Sequence, residues 1–286
     1  MNLDIISAYL EDKRNRVDSA LNQYLEPIKQ SSILYASISY SLFSGGKRIR
    51  PILMIAVYES IKKSIDNSIF IPACALEFVH SYSLIHDDMP CMDNSDLRRG
   101  KPTTHKLYGQ DIALLAGDAL LTQAFSLLSG DAAQSFFSHE TICSLVKELS
   151  VRSGIEGMVE GQAFEIMQEK QNIQEETIHY IIDHKTSALF SAALKMGGIA
   201  SGASAETVET LHKIGQYFGQ AFQMADDLHD HQVDSKEINM VNLLGKEKTM
   251  TLLDLAMKDT FEQINMLPFD AEILRNIILY FQEKEF

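Results

Sequence analysis

The chain of 286 residues lacks several features that mark whole classes of proteins. It has only three cysteines, Cys74, Cys91 and Cys143, and their spacing matches no paired metal-ligand pattern. We therefore expect reduced thiols and a cytoplasmic protein. The opening "MNLDIISAYLEDKRNR" has no apolar core of a signal peptide. No run approaches the roughly 18–20 apolar residues that a membrane span needs.

The net charge of the chain argues against two classes of binding partner. A formal net charge of −14 argues against nonspecific binding to nucleic acid or to anionic lipid. Hydrophobic residues make up 45 % of the chain and charged residues 22 %, which is a normal balance for a globular protein. Such an acidic protein needs local basic clusters or metal ions if it is to bind anions.

Helical periodicity dominates the sequence, and no segment alternates with period two for long enough to indicate a sheet. We predict one all-α domain over residues 1–286, with helices longer than average. Residues 89–110 and 231–248 break the pattern, and loops of such length are usually functional. The predicted helical segments are "LDIISAYLEDKRNRVDSALNQYL", "PACALEFVHSYSLIHDD", "DIALLAGDALLTQAFSLLS", "TICSLVKELSVRSGIEGMVEGQAFEIM", "ETIHYIIDHKTSALFSAALKMGGIA", "AETVETLHKIGQYFGQAFQMADDLHDH" and "FDAEILRNIILYFQEKEF".

A first acidic cluster has the pattern DDxxxxD, formed by Asp87, Asp88 and Asp93. Pro90 makes a straight helix through the cluster unfavourable. We predict that the helix ends near Asp88 and that the chain curls so that Asp93 returns toward Asp87. Mg²⁺ takes one or two carboxylates and fills its other positions with water and phosphate oxygens. The alternative is a solvated acidic loop.

A second acidic cluster, "QMADDLHD", contains Asp226, Asp227 and Asp230. Their spacing lets all three line one face of a helix. Like charges in that arrangement repel, so a bound metal ion would stabilise it. The alternative is an exposed acidic face. His229 and His231 are expected to face solvent, because Mg²⁺ prefers oxygen ligands.

Cations are also clustered. "SGGKRIRP" lacks the spacing of a P-loop, which disfavours a nucleotide triphosphatase. Glycine followed by dense cations can nevertheless hold a phosphate group. His80 lies two helical turns before Asp87 and shares a helix face with it. The other members of the basic set are Lys47, Arg48, Arg50, Arg98, Arg99 and Lys185, the last followed by Thr186. A diphosphate that bridges Mg²⁺ ions is the simplest ligand common to both charge types.

Taken in order, these motifs resemble the short-chain trans-polyprenyl diphosphate synthases, most of all the bacterial farnesyl diphosphate synthases. The matching stretches are "GGKRIRP", "HSYSLIHDDMPCMDNSDLRRGKPTTH", "LLAGDALL", "GMVEGQAFE", "HKTSALF" and "FGQAFQMADDLHD". The resemblance implies an all-α isoprenoid-synthase helical bundle around a central cavity, usually a homodimer, with the two aspartate motifs facing each other across its mouth. It also implies isopentenyl diphosphate and allylic diphosphates as substrates.

The resemblance further assigns roles to single residues. Asp87, Asp93 and Asp226 would ligate three Mg²⁺ ions. Asp88, Asp227 and Asp230 would support that metal site through an outer layer or bound water. The allylic diphosphate would be held by Arg98, Lys185 and Lys246, with Lys236 and Lys248 as alternatives to the last. Isopentenyl diphosphate would be held by Lys47, Arg50, His80 and Arg99. Thr186 and Gln223 would flank the allylic cation.

Product length is a separate question. Tyr82 lies five positions before Asp87, about 7.5 Å deeper along a helix axis, where the resemblance implies a block to chain growth at C15. Geometry alone would favour Ser83, which is better aligned with Asp87. A C20 synthase stays open, as does a noncatalytic subunit, although intact aspartate motifs argue against the latter. A terpene cyclase would lack "GGKRIRP" and LRRG. The chain departs from the family at Glu165, where Asp is common, and after Asp230.

Overall fold

The computed structural model describes residues 3–26, 32–168, 173–230 and 238–284, with the side chain of residue 230 excepted. The chain divides into two compact units. The N-terminal unit consists of Tyr9–Ile52 and Asp66–Val146. The C-terminal unit consists of Met1–Ala8, Leu53–Ile65 and Lys147–Phe286.

The first half of the chain contains eight α-helices and one two-stranded pair among the residues described. They are α1 (Leu3–Leu25), α2 (Ile33–Leu42), α3 (Ile49–Lys62), α4 (Phe70–Asp87), β1 (Leu97–Arg98), β2 (Lys101–Pro102), α5 (Thr104–Tyr108), α6 (Gln110–Ser129), α7 (Asp131–Gln134) and α8 (His139–Ser153). Helix α4 is buried along most of its length because its sequence is apolar on nearly every face. The side chain of Asp66 accepts a hydrogen bond from Ser68 N at 2.8 Å and so caps the 3-10 turn that leads into α4.

Close approach of α4 and α6 depends on Gly117. A Cβ atom there would lie 2.1 Å from His86 Nε2, so only glycine leaves room for that imidazole. The ring nitrogen lies 3.1 Å from the carbonyl oxygen of Leu114. This contact fixes the last turn of α4 against α6, and the last turn carries the first acidic cluster.

The second half of the chain continues as helices. They are α9 (Met158–Met167), α10 (Glu175–Ile181), a π-helical turn (Ile182–Ser187), α11 (Ala188–Ser201), α12 (Ala205–Asp230), α13 (Met240–Leu244), α14 (Lys246–Asn265) and α15 (Glu272–Lys284). The long helix α12 packs between α11 and α14. Gly215 and Gly219 let α12 approach α11 and the π-helical turn closely, because a Cβ at either would lie within 2.6 Å of their backbone.

The predicted all-α class is confirmed, and the only strands in the part of the chain described are two residues long each. Some boundaries were wrong. Residues 89–110, predicted as one loop, contain α5 and the β-pair. Glycines at 154 and 157 split the segment predicted as one helix into α8 and α9. In residues 231–248, α13 and the start of α14 replace the predicted loop, and residues 231–237 lie outside the described residues.

Two helices are long and apolar enough to compare with membrane spans, by length and composition alone. The first, Asn67–Asp87, has 83 % of its most apolar window buried inside the protein. The second, Gln110–Gln134, has 39 % buried. Glu77 and Asp118 interrupt them, so the sequence shows no uninterrupted apolar run in either. Because most of its apolar window is buried inside the protein, the first is a core helix.

Candidate active site

The N-terminal aspartate motif (Asp87, Asp88 and Asp93) lies where α4 ends. The helix stops at Asp87, and the backbone N–H of Asp93 donates to the carbonyl oxygen of Asp87 at 2.9 Å. The predicted curl of the chain is thus confirmed. Asn94 takes a left-handed conformation with φ 52°, which lets the chain turn back here.

Within this motif, Asp88 faces the protein. It is 3 % exposed, and Arg98 Nε lies 2.9 and 2.8 Å from its two carboxylate oxygens. A second donor, Arg98 Nη2, lies 2.7 Å from Oδ1. A guanidinium has five N–H donors, so the two on Nη1 are not used by Asp88. Arg98 can therefore hold Asp88 and an anion at the same time.

Arg98 and Arg99 are presented by the β-pair. Arg98 pairs with Lys101, and the two residues between them, Arg99 and Gly100, have φ of 53° and 73°. Positive φ at both central positions is typical of a tight type I′ turn. The turn sends the two adjacent guanidinium groups to different partners, because Arg99 Nη1 donates to the carbonyl oxygen of Gly45.

A basic cluster forms around His80 in the same unit. Burial lowers the pKa of His80 well below its usual value, and the nearby Arg50, Arg99, Arg48 and Arg98 lower it further. The imidazole is therefore neutral at physiological pH without a ligand. These arginines come from positions far apart in sequence, and their role in binding an anion stays a prediction.

Arg48 differs from its neighbours in "GGKRIRP". It is 5 % exposed and lies 2.8 Å from Asp18 and 2.6 Å from Glu77, and it also donates to the carbonyl oxygen of Leu42. Arg48 thus anchors the glycine loop to α1, α2 and α4. Lys47, next to it, is exposed. The basic motif alone did not separate this structural arginine from its neighbours, but the roles implied by the family resemblance left Arg48 out of the ligand set.

The chain-length candidates lie one turn and more before Asp87. Tyr82 is 6 % exposed, and its ring packs edge-on against His86 with centroids 5.7 Å apart. Burial, together with the charge of Asp87, raises the pKa of Tyr82 to about 12, so the hydroxyl is neutral. Ser83 donates to the carbonyl oxygen of His80 at 2.9 Å, which occupies its hydroxyl within α4.

In the C-terminal unit, the π-helical turn carries Lys185 and Thr186. A Cβ at Gly161 would lie 2.4 Å from the backbone nitrogen of Lys185, so α9 can approach the turn only through glycine. Lys185 Nζ forms an ion pair with Glu165. Single π-helical turns are often found at functional sites. The sequence marked Glu165 only as a departure from the family, and its contact with Lys185 was not predicted.

The C-terminal aspartate motif (Asp226, Asp227 and Asp230) ends α12. Asp226 is exposed, whereas Asp227 is 6 % exposed. Gln223 Nε2 donates to Asp227 Oδ1 at 2.8 Å, and Met240 N donates to Oδ2 at 2.7 Å. The side chain of Asp230 lies outside the described residues. The roles of all three in metal binding stay predictions.

Of the three candidate loop lysines, two can be placed. Lys248 forms an ion pair with Glu175 at 2.5 Å. Lys246 lines a surface recess of about 450 Å³ together with Leu228 and His229 from the end of α12. This brings Lys246 close to the helix end that carries the C-terminal aspartate motif. Lys236 lies outside the described residues, and His229 is exposed, as predicted.

The donor chemistry of both motifs fits Mg²⁺. In the described residues no group of three His, Cys, Asp or Glu side chains is gathered as a complete metal cage. A complete cage is not needed, because Mg²⁺ keeps water and phosphate oxygens beside one or two carboxylates. The backbone hydrogen bond from Asp93 to Asp87 keeps these two carboxylate residues close together, and Asp226 is exposed. Each motif therefore offers a small number of carboxylate oxygens.

Comparison with known proteins identifies the family. A family model described as polyprenyl synthetase matches residues 31–265. The chain belongs to the polyprenyl synthetase family. Polyprenyl synthetases are prenyltransferases that use isopentenyl and allylic diphosphates, and the family is generally dependent on divalent metal ions. The predicted family and enzyme class are therefore confirmed.

Several relatives of this polyprenyl synthetase bear different product names. The farnesyl diphosphate synthase of Bacillus subtilis (strain 168) is 35 % identical, with 94 % of this chain and 95 % of the relative covered. The heterodimeric geranylgeranyl pyrophosphate synthase large subunit 1 of Arabidopsis thaliana is 36 % identical, with 96 % and 79 % covered. A crystal structure of a FPP/GFPP synthase from Zymomonas mobilis aligns with a TM-score of 0.88 at 31 % identity, covering 97 % and 99 %. This confirms the isoprenoid-synthase helical fold.

Proposed function

We propose that this polyprenyl synthetase is a Mg²⁺-dependent farnesyl diphosphate synthase, which condenses isopentenyl diphosphate with dimethylallyl and then geranyl diphosphate. The observation that carries the proposal is the separate use of two neighbouring arginines. Arg98 is held beside the N-terminal aspartate motif, while Arg99 is held at the glycine loop near His80. Two basic groups suit an enzyme with two diphosphate substrates, one bound with metal and one without.

We assign the allylic substrate to the site formed by the metal-binding residues. Asp87, Asp93 and Asp226 would hold Mg²⁺, three ions as the family resemblance implies. Bound Mg²⁺ would neutralise the charge that develops on the departing diphosphate. As the family resemblance implies, the same diphosphate would also be bound by Arg98, Lys185 and Lys246. Lys246 is preferred to Lys248 because it lies beside the end of α12, whereas Lys248 is paired with Glu175.

Isopentenyl diphosphate belongs to the basic cluster around His80. Lys47, Arg50, His80 and Arg99 would bind its two phosphate groups. Charge-assisted hydrogen bonds from guanidinium groups are well suited to phosphate oxygens. Arg48 takes no part in binding, since its guanidinium is used by Asp18 and Glu77.

The chemistry follows from these proposed roles. The allylic C–O bond breaks heterolytically, and the diphosphate leaves with the electron pair. Thr186 and Gln223 flank the resulting allylic cation. The double bond of isopentenyl diphosphate attacks it, forming the new C–C bond, and a proton then passes to the released diphosphate. Exclusion of water protects the cation from hydrolysis.

The C15 product is favoured by Tyr82. This aromatic ring is buried on α4 and held edge-on by His86. A bulky group below Asp87 would stop the growing tail. The runner-up is a C20 synthase, in keeping with the product named for the Arabidopsis relative.

The chain is further proposed to act as a single prenyltransferase domain, residues 1–286, in a cytoplasmic homodimer. Exposed apolar side chains on α5 and α6 support a dimer: Leu107 is 52 % exposed, Leu114 46 % and Leu115 52 %. Exposed apolar side chains are more common at protein interfaces than on the rest of the surface when they lie together in a patch. Light scattering of the purified protein, which distinguishes dimer from monomer, tests the assembly.

One incubation tests the proposed function. The purified protein is given dimethylallyl or geranyl diphosphate, isopentenyl diphosphate and Mg²⁺, with a chelator control, and products are identified by mass spectrometry. Farnesyl diphosphate as the main product supports the proposal. Mainly C20 product moves the assignment to the runner-up. Absence of any elongated product refutes both and indicates a noncatalytic subunit.

A further inference from the structure

A continuous chain of hydrogen bonds runs through the C-terminal unit beside the proposed cation site. Thr186 Oγ1 donates to Gln223 Oε1 at 2.7 Å. Gln223 Nε2 donates to Asp227 Oδ1 at 2.8 Å, and the backbone nitrogen of Met240 donates to Asp227 Oδ2 at 2.7 Å. The chain links the π-helical turn, α12 and the start of α13.

The direction of this chain is set by Asp227. An ionised carboxylate only accepts hydrogen bonds, whereas a primary amide has one accepting end and one donating end. Gln223 must therefore turn its NH₂ group toward Asp227 and its carbonyl oxygen toward Thr186. The Thr186 hydroxyl in turn spends its proton on that carbonyl oxygen. Toward a ligand, the Thr186 hydroxyl can then act only as an acceptor, through the lone pairs of its oxygen.

We propose that Asp227 is a positioning residue that fixes this direction, so that Thr186 and Gln223 present accepting oxygens to the allylic cation. The inference rests on the proposed function, because only a cationic intermediate needs acceptors at this place. Reversal of the amide would aim N–H dipoles at a developing positive charge and raise the barrier. Asp227 would thus act through Gln223, without touching the substrate.

Burial separates this role from direct metal binding. Both oxygens of Asp227 accept hydrogen bonds from protein N–H groups, and the residue is 6 % exposed. Its neighbour Asp226 is exposed. Asp227 also holds Met240, and α13 then leads through Gly245 to Lys246 at the start of α14. Asp227 therefore orients Thr186 and Gln223 beside the cation. It also holds the segment that leads to Lys246, a proposed diphosphate-binding residue.

The test uses Asp227→Asn, which keeps the shape of the side chain. The Met240 N–H still needs an acceptor, so the oxygen of the new amide stays there and its NH₂ faces Gln223. The Gln223 amide must then reverse. We expect kcat with geranyl diphosphate to fall roughly ten- to a hundredfold, with the Mg²⁺ concentration at half-saturation changed less than about twofold.

A rescue variant makes the test sharper. Gln223→Glu in the Asp227→Asn background gives a carboxylate at position 223 that accepts from both the new amide at position 227 and the Thr186 hydroxyl, and it restores the original net charge. We expect this double variant to recover at least about tenfold in kcat over Asp227→Asn. Gln223→Glu alone places two carboxylates side by side and should show no such recovery.

A measurement without substrate tests the geometry itself. In metal-free protein, the side-chain amide signals of Gln223, assigned by their loss in Gln223→Glu, should show slow hydrogen exchange and should move upfield in Asp227→Asn. If wild type makes no elongated product, the proposed function fails, while these signals still report on the direction of the chain. Unchanged signals would overturn the inference.

The kinetic measurements give a second test of the positioning role of Asp227. Recovery of kcat in the double variant supports the inference. A tenfold rise in the Mg²⁺ requirement of Asp227→Asn, without rescue, would overturn it and make Asp227 a metal ligand. Normal kcat in Asp227→Asn would also overturn it. If circular dichroism shows the double variant unfolded, the single variant's Mg²⁺ titration and amide signals decide.

Discussion

The two aspartate motifs begin with the same pair of residues but sit in different local structures. The first pair, Asp87 and Asp88, lies where α4 ends and the chain turns back. The second pair, Asp226 and Asp227, lies near the end of α12 but still inside the helix. In both, the second carboxylate is the buried one, 3 % exposed at Asp88 and 6 % at Asp227.

The two buried carboxylates have different partners among the described residues. Asp88 is paired with the guanidinium of Arg98, a full positive charge. Asp227 accepts hydrogen bonds from the Gln223 amide and from the backbone N–H of Met240. A buried charge is costly unless it is paired or hydrogen-bonded, and both solutions meet that need. The comparison predicts that the first aspartate of each pair serves the ligand and that the second serves the protein.

The largest expected effect comes from the first aspartates. Asp87→Ala or Asp226→Ala should lower kcat by roughly three orders of magnitude or more, because each removes a stabiliser of the leaving group. Folding should survive, since loss of like-charge repulsion costs little. Steady-state kinetics at saturating Mg²⁺ measures this. Glu140→Ala, at an exposed position on α8, is the control and should stay near wild type.

Near-normal turnover in either aspartate variant, with the fold intact, would contradict the assignment of the metal ligands. Loss in only one variant would show that the two motifs are unequal in catalysis.

The next effect separates the two substrates. Arg99→Ala should raise KM for isopentenyl diphosphate, and Arg98→Ala should raise KM for the allylic diphosphate. A lost charge-assisted hydrogen bond corresponds to a change of roughly ten- to more than a hundredfold. Initial rates with each substrate varied in turn give both constants. Lys101→Ala, exposed on the same β-pair, is the matched control. Equal effects of both arginine variants on both KM values would contradict the assignment of one arginine to each substrate.

A smaller effect concerns stability and compares the two members of one pair. Asp88→Ala leaves Arg98 without its carboxylate partner, and because Arg98 is 34 % exposed we expect a loss of only about 2 kcal/mol in the free energy of unfolding. Asp87→Ala should change it by less than about 0.5 kcal/mol. Urea unfolding followed by circular dichroism measures both. Equal losses would show that the two aspartates are not divided in this way.

The smallest expected change in catalytic rate comes with a change in product length. Tyr82→Ala should extend the main product from C15 to C20 or beyond, because the ring no longer blocks the tail. The cavity left behind costs about 3–5 kcal/mol, so folding is checked first. Tyr82→Phe keeps the ring and should keep the C15 product. A folded, active Tyr82→Ala that still stops at C15 would show that other residues set the limit.

Much of the local structure near the first motif could be predicted from sequence. Pro90 and the spacing of the aspartates predicted that α4 would end there and that Asp93 would return toward Asp87. Adjacent residues on a helix point about 100° apart. The spacing predicted one helix face for Asp226, Asp227 and Asp230, but the structure exposes Asp226 and buries Asp227, because packing decides which of them faces inward.

Contacts between distant residues could not be predicted. Lys185 and Glu165 meet only because Gly161 lets α9 approach the π-helical turn, and no local pattern encodes that turn. Arg48 became structural through two carboxylates on other helices. The family resemblance implies Lys246, with Lys236 and Lys248 as alternatives, and only helix packing places Lys246 beside the end of α12.

Calorimetric titration of four variants tests the central claim most directly. Metal-free Asp87→Asn, Asp88→Asn, Asp226→Asn and Asp227→Asn are titrated with Mg²⁺ in the presence of excess inorganic diphosphate. We expect Asp87→Asn and Asp226→Asn to bind Mg²⁺ roughly tenfold or more weakly than wild type, while Asp88→Asn and Asp227→Asn stay within about threefold. Weaker Mg²⁺ binding in Asp88→Asn and Asp227→Asn than in Asp87→Asn and Asp226→Asn would contradict the division of roles between the first and second aspartates.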